Sequence, residues 1–153
     1  MTEVPIFGEK IAGVHYVERH GAYIIIQNQQ EKIVLVQAPN GAYFLPGGEI
    51  EGRETQLEAI HREVMEELGV EVEIDSYLGQ ADDYFYSRHR DTYFHNPAYF
   101  FSAKTWQEVC APLEDFNVIE WFSVEEGIEK LKRGSHKWAV EEWLSSQVKR
   151  AET

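Results

Sequence analysis

The stretch from Gly48 to Val70, GEIEGRETQLEAIHREVMEELGV, constrains the fold of this chain more than any other part of it. Thr55 followed by Glu58 has the spacing of a capping box, and Gly69 is a natural C′ stop, so a helix is predicted between them. Leu57, Ile60, Val64 and Leu68 fall on one stripe and predict its buried flank. Beside that stripe Glu63, Glu66 and Glu67 stand at i, i+3 and i+4, which crowds three carboxylates on one face. Like charges at those offsets destabilise a bare helix by about a few tenths of a kcal/mol per pair. They also lie in the second half of the helix, where the macrodipole disfavours anions. A cation relieves both penalties, so the spacing points to a metal site. The donors are all oxygen, which favours a hard cation over zinc, and His61 reads as a surface or half-buried helix residue rather than a ligand.

The remaining segments predict one layered domain over residues 1–153, of α+β or α/β class. Strand signals run from Val14 to Val36 around the turn NQQEK, Asn40-Gly41 marks a further turn, and AYFLPGG leads from a short strand into a Pro-Gly-Gly loop. VEVEIDSYLGQADDYFYS and TYFHNPAYFFSAKTW read as strands joined by a polar tip at Arg88-His89-Arg90-Asp91, and VIEWF follows a loop from Gln107 to Asn117. Two closing helices are expected, at about 124–132 and about 136–149, with Ser135 as N-cap of the second. Ala139, Val140, Trp143, Leu144 and Val148 give the second helix an apolar face.

The Gly48–Val70 stretch resembles the Nudix box, G-x5-E-x7-R-E-U-x-E-E-x-G-U with U aliphatic, at Gly48, Glu54, Arg62, Glu63, Val64, Glu66, Glu67, Gly69 and Val70, with no departure at a defined position. FLPGG before it, Glu120-Trp121-Phe122 after it and two closing helices are similar to the MutT-like branch of the family. The resemblance implies a Nudix fold, an α/β/α sandwich with a mixed sheet packed between helices and the box as loop–helix–loop. It implies a hydrolase that cuts the diphosphate linkage of a nucleoside diphosphate joined to a further group X, using Mg2+ or Mn2+. Glu63, Glu66, Glu67 and the Gly48 carbonyl would hold the metal, and Gly47 and Gly48 would let the loop approach it. Glu54 and Arg62 would join loop to helix by an ion pair, with Arg62 also orienting a ligand glutamate. Two positions for the general base stay open: Glu63, or an acid on the loop before Glu120-Trp121. Glu114 and Asp115 stand on that loop, and its distance from Trp121 favours Asp115.

Outside the box, Arg88 and Arg90 could meet substrate phosphates, against the simpler reading of a solvated hairpin tip. Tyr84 and Tyr86, with Phe85, Tyr93 and Phe94 nearby, could stack a nucleobase, although strand alternation sends about half of such residues to the core. Trp121 reads as core or pocket rim, and Cys110, a lone cysteine, as inert. The net charge of −13 argues against a nucleic-acid polymer as partner, since backbone phosphates are bound by Lys and Arg. A small polyphosphate arriving with a divalent cation is compatible with it. No signal peptide or bilayer-spanning apolar run is read, so the expected setting is the cytoplasm without membrane attachment, with room for a homodimer. A second reading, from a different class, is a non-catalytic nucleotide-sensing regulator on the same fold. The identity of X is carried by loops whose positions the sequence does not specify.

Overall fold

The computed structural model describes residues 3–152. Its elements run β1 (Ile6–Phe7), β2 (Val17–Glu18), β3 (Gly21–Ile25), β4 (Lys32–Gln37), β5 (Tyr43–Phe44), β6 (Gly47–Glu49), α1 (Gln56–Leu68), β7 (Val70–Ser87), β8 (Thr92–Glu108), β9 (Val118–Ser123), α2 (Val124–Lys130) and α3 (Gly134–Glu152). One sheet has the order β1-β7-β8-β3-β6, with β2 added beside β8, and a second has the order β5-β4-β9. The long β7–β8 hairpin is antiparallel, β3 runs parallel to β8, and β3 pairs antiparallel with β6. The sheets lie between α1 on one side and α2 and α3 on the other, the mixed-sheet α+β sandwich that the sequence predicts.

Near-continuous apolar runs in β3 and β4 follow from this placement, because strands buried on both faces have no polar side to show. Ala22, Ile24, Val34 and Val36 pack toward α1, whereas Ile25, Ile33 and Leu35 pack toward α3. On α1 the buried flank is Ala59, Ile60, Val64 and Leu68. Leu57 departs from the predicted stripe: it is 42% exposed, and Ala59 takes the inner position. Full burial of a side chain such as Ile60 or Val64 contributes about 1.5–3 kcal/mol, which exceeds the few tenths per pair that the neighbouring glutamates cost the helix. The caps are those the sequence predicts: Thr55 and Glu58 close a reciprocal capping box, and Gly69 ends α1 in the left-handed region at φ 67°.

The C-terminal helices differ from expectation in three details. Helix α2 ends at Lys130. Helix α3 starts at Gly134, so Ser135 lies inside it rather than capping it. Asp83 of β7 accepts from both the backbone N–H and the hydroxyl of Ser135, and so supplies from another element the acceptor that a local cap would provide. Ala139, Val140 and Trp143 are buried as the periodicity implies, but Val148 is 57% exposed, although α3 stays beside β7 there, where Arg150 pairs with Asp75. Among the described residues no helix is long and apolar enough to cross a membrane.

Candidate active site

The loop that precedes α1 is held by the pairing of β3 with β6, which sets Gly48 opposite Ala22 and Gly47 opposite Tyr23. A side chain is excluded at both glycines, for different reasons. Gly47 has φ 137°, and a Cβ there would lie 2.2 Å from the Ala22 carbonyl oxygen. At Gly48 a Cβ would lie 2.7 Å from the Glu63 carboxyl carbon, so the missing side chain is what lets that carboxylate rest against the loop.

Arg62 fastens loop to helix. Its Nε donates to Glu54 Oε2 at 2.6 Å and its Nη2 to Glu54 Oε1 at 3.0 Å, a fork-on-carboxylate pair, and Nη2 also donates to the Glu49 carbonyl at 3.0 Å. Its Nη1 donates to Glu63 Oε1 at 2.9 Å and to Glu66 Oε2 at 3.4 Å. Hydrogen bonding from Arg62 holds the Glu54 carboxyl down at about 2, with the Glu51 backbone N–H adding to the effect. The same bond raises the Arg62 guanidinium above its ordinary value.

The glutamates of α1 sit in unlike surroundings. Glu67 is buried, 9% exposed, and its Oε1 accepts from the Gly47 N–H at 2.9 Å. Burial pushes its pKa well above the ordinary carboxylate value, and Glu63, Glu114 and Glu66 push the same way. Burial raises Glu63 to about 7 against the opposing pull of Arg62. From the opposite side the loop after β8 closes in. The N–H groups of Val109 and Cys110 donate to the Gly69 carbonyl, and the Glu114 N–H donates to the Glu66 carbonyl at 2.9 Å. Glu114 is thereby half-buried beside the cluster, with its pKa raised by burial and then by Glu66, while Asp115 next to it is exposed.

Four carboxylates thus face a shared space, and their mutual repulsion is the electrostatic strain that a divalent cation removes. Among the described residues no three Asp, Glu, His or Cys side chains already close around one point. The donor set nonetheless fits Mg2+, an all-oxygen ion usually held through one or two carboxylates plus substrate phosphates and water. On Glu63, Glu66 and Glu67 one oxygen is oriented by Arg62 or Gly47, and the other has no hydrogen bond among the described residues. His61 is exposed, in keeping with its reading as a bystander.

A cavity of about 210 Å3 opens at the glycine loop. Gly47, Gly48 and Glu67 are on its walls, as are Glu49, Arg19, Phe44, Phe85 and Arg133. Arg88, Arg90, Tyr84 and Tyr86 are not among its walls. Arg88 and Arg90 are exposed at the β7–β8 tip, Tyr84 stacks on His95 at 4.5 Å, and the Tyr86 hydroxyl bonds to Asp91. Phe85, between the two tyrosines, has the opposite orientation along β7 and faces the cavity. A separate pocket of about 540 Å3 is lined by Trp106, Trp121 and the loop from Val109 to Pro112, and none of the box carboxylates lines it.

Comparison with known proteins gives a consistent family. A family model described as the NUDIX domain matches residues 17–144. A MutT-like protein of Streptomyces ambofaciens is 32% identical over 78 residues, covering 51% of this chain and 44% of that protein. A low-salt glycan biosynthesis protein of Haloferax volcanii is 31% identical over 75 residues, covering 49% and 45%. The chain therefore matches less than half the length of these curated relatives. Among solved structures, a MutT protein from Methanosarcina mazei superposes with a TM-score of 0.67 at 22% identity, over 88% of this chain and 99% of that one, which is a likeness of fold.

Proposed function

The chain belongs to the NUDIX domain family, and on that premise we propose that it is a pyrophosphohydrolase, cleaving the diphosphate linkage of a nucleoside diphosphate joined to a further group X. The observation that carries this reading is the buried Glu67 and half-buried Glu63 set against the Gly47–Gly48 loop, Glu67 held by the Gly47 N–H and Glu63 by Arg62. Such an arrangement costs stability unless a cation and a phosphate chain complete it. Glu63, Glu66 and Glu67, with the Gly48 carbonyl, would hold Mg2+ or Mn2+. When bound, the ion would neutralise charge on the phosphate oxygens.

The chain's own residues do the rest. Arg62 holds one oxygen each of Glu63 and Glu66, and its tie to Glu54 keeps the loop at a fixed distance from the helix. The Gly47 N–H fixes Glu67. Glu114 is our choice of general base: it is half-buried beside Glu66, and a carboxylate with a raised pKa accepts a proton more readily at neutral pH. Water adds its oxygen to phosphorus, its proton passes to that carboxylate, and the bridging P–O bond breaks to leave two phosphate products.

The test is a Mg2+-supplemented panel of a nucleoside triphosphate, a dinucleoside polyphosphate and a nucleotide sugar, run beside Glu67→Gln. Turnover of one class is expected, with a loss of about 100-fold or more in the variant. Nucleotide binding without turnover across the panel would instead make the chain a sensor, and turnover that survives Glu67→Gln would refute the site.

A further inference from the structure

The far wall of the glycine-loop cavity holds a cation that has no counter-ion among the described residues. The Arg133 guanidinium carbon lies 3.3 Å from the Phe85 ring centroid and 5.5 Å from that of Phe44, so its plane is fixed on an aromatic face. Among the described residues no carboxylate comes within ion-pair distance of it, and its N–H groups make no hydrogen bond. The other arginines near the site are paired, Arg19 with Glu49 at 3.0 Å and Arg62 with Glu54. Acidic side chains are plentiful in a chain of net charge −13, yet none among the described residues is set on Arg133. Asp83, the acidic group that most influences it, is engaged with Ser135. A half-buried cation with all its donors free calls for an acceptor that arrives from outside.

We propose that Arg133 binds an anionic end of the substrate, a terminal phosphate carried beyond the scissile diphosphate, and so selects substrates that bear one. The word substrate rests on the hydrolase reading above; the anion site itself does not. The cavity joins Arg133 to Gly47, Gly48 and Glu67, so one molecule can span both ends. At about 210 Å3 it is smaller than the roughly 300–1,000 Å3 of a complete small-molecule site, so it takes an end group and leaves the remainder in the open cleft. The carboxylate end repels an anion and the Arg133 end attracts it, which gives the bound chain a direction. The guanidinium fork matches phosphate oxygens in pairs, which an ammonium does not.

The experiment is calorimetric titration of inorganic pyrophosphate into metal-free protein in EDTA, for the wild type, Arg133→Gln, Arg133→Lys and Lys104→Gln. Wild type is expected to bind, with affinity falling about 10- to 100-fold in Arg133→Gln, less in Arg133→Lys, and unchanged in Lys104→Gln, which removes the same charge from an exposed strand position. Thermal melts confirm that the variants are folded. Steady-state kinetics then compare a nucleoside triphosphate with a diphosphate sugar of the same base: Arg133→Gln should raise KM about tenfold or more for the first and leave the second unchanged. Absence of pyrophosphate binding in the wild type, or equal binding by Arg133→Gln, overturns the proposal. Turnover of the triphosphate undisturbed by Arg133→Gln overturns it and leaves the hydrolase reading standing. Pyrophosphate binding that depends on Arg133 supports it even where no substrate of the panel turns over.

Discussion

Replacing Glu63 by Gln separates what the site costs the fold from what it does. Burial lifts the Glu63 carboxyl from 4.5 to about 7, and its side chain is only 14% exposed, so solvent screening is limited. Because the folded-state pKa is raised, the native protein keeps a proton that the unfolded chain has released, and stability falls as pH rises from about 4.5 through 7. His136 acts in the opposite direction. It is buried, its Nδ1 accepts from the Leu45 N–H, and burial holds it down at about 3, so its share of stability is lost as pH falls below about 6.5. That share is common to both proteins and cancels when variant and wild type are compared at each pH. Gln retains the acceptor for Arg62 and the fit beneath Gly48 while removing the titration. Between about pH 5.5 and pH 8 the wild type loses roughly one and a half pH units of proton linkage at this site, about 2 kcal/mol. The acid limit stays above the pI of 4.8. Urea unfolding in EDTA should therefore show Glu63→Gln gaining about 2 kcal/mol on the wild type across that window, or about 4–8 °C in Tm. The coupling of Glu67 to Glu63 adds to the gain, since removing one charge eases the other. Mg2+ at about pH 8 should then stabilise the wild type more than the variant. A stability difference that is constant with pH would refute the burial argument for Glu63.

Two further comparisons test neighbouring parts of the site. Gly47→Ala meets a backbone oxygen at 2.2 Å and is expected to lose about 3 kcal/mol or more, or to fail to fold. Gly48→Ala meets only the movable end of Glu63 and should lose about 1 kcal/mol while turnover falls about 100-fold; urea melts beside kinetics check both, and equal stability losses would contradict the distinction. Glu114→Gln is expected to lower kcat about 100-fold and Asp115→Asn to leave it near wild type. The reverse order in steady-state rates would return the base to Asp115.

The box helix is legible in the sequence because everything that defines it is local: Thr55 with Glu58 at one end, Gly69 at the other, and Arg62 within a turn or two of its partners. The far wall of the cavity is not, since Arg19, Phe85 and Arg133 come from three separate stretches that meet through the β3–β8 and β7–β8 pairings and the docking of the start of α3 on Asp83 of β7. Alternation along β7 says that Phe85 opposes Tyr84 and Tyr86, but a period of two carries no sign, and the face that is cleft emerges only from the register. Which of Glu114 and Asp115 is the less exposed is hidden in sequence for a similar reason. One backbone bond, from Glu114 N–H to the Glu66 carbonyl, decides which adjacent acid turns inward, and the two partners are far apart in the chain. Ser135 reads as a cap because its chemistry suits one, and only the fold reveals that Asp83 has taken that part.

These placements give the cleft a polarity that neither composition nor motif contains. On the proposed function the acidic helix face takes a cation, and a cation alone would leave nothing to oppose Arg133 across the cavity, which has no counter-ion among the described residues. On that reading a polyphosphate drawn in with its metal would satisfy both ends at once: the metal would offset the charge gathered over Glu63 and Glu67 and on the inner phosphate oxygens, and the outer oxygens would reach the guanidinium on Phe85. On the proposed function the two ends therefore divide the work. The glutamates choose the bond, and because Arg133 is anchored on aromatic rings rather than on a carboxylate, its donors remain free to choose what lies beyond that bond.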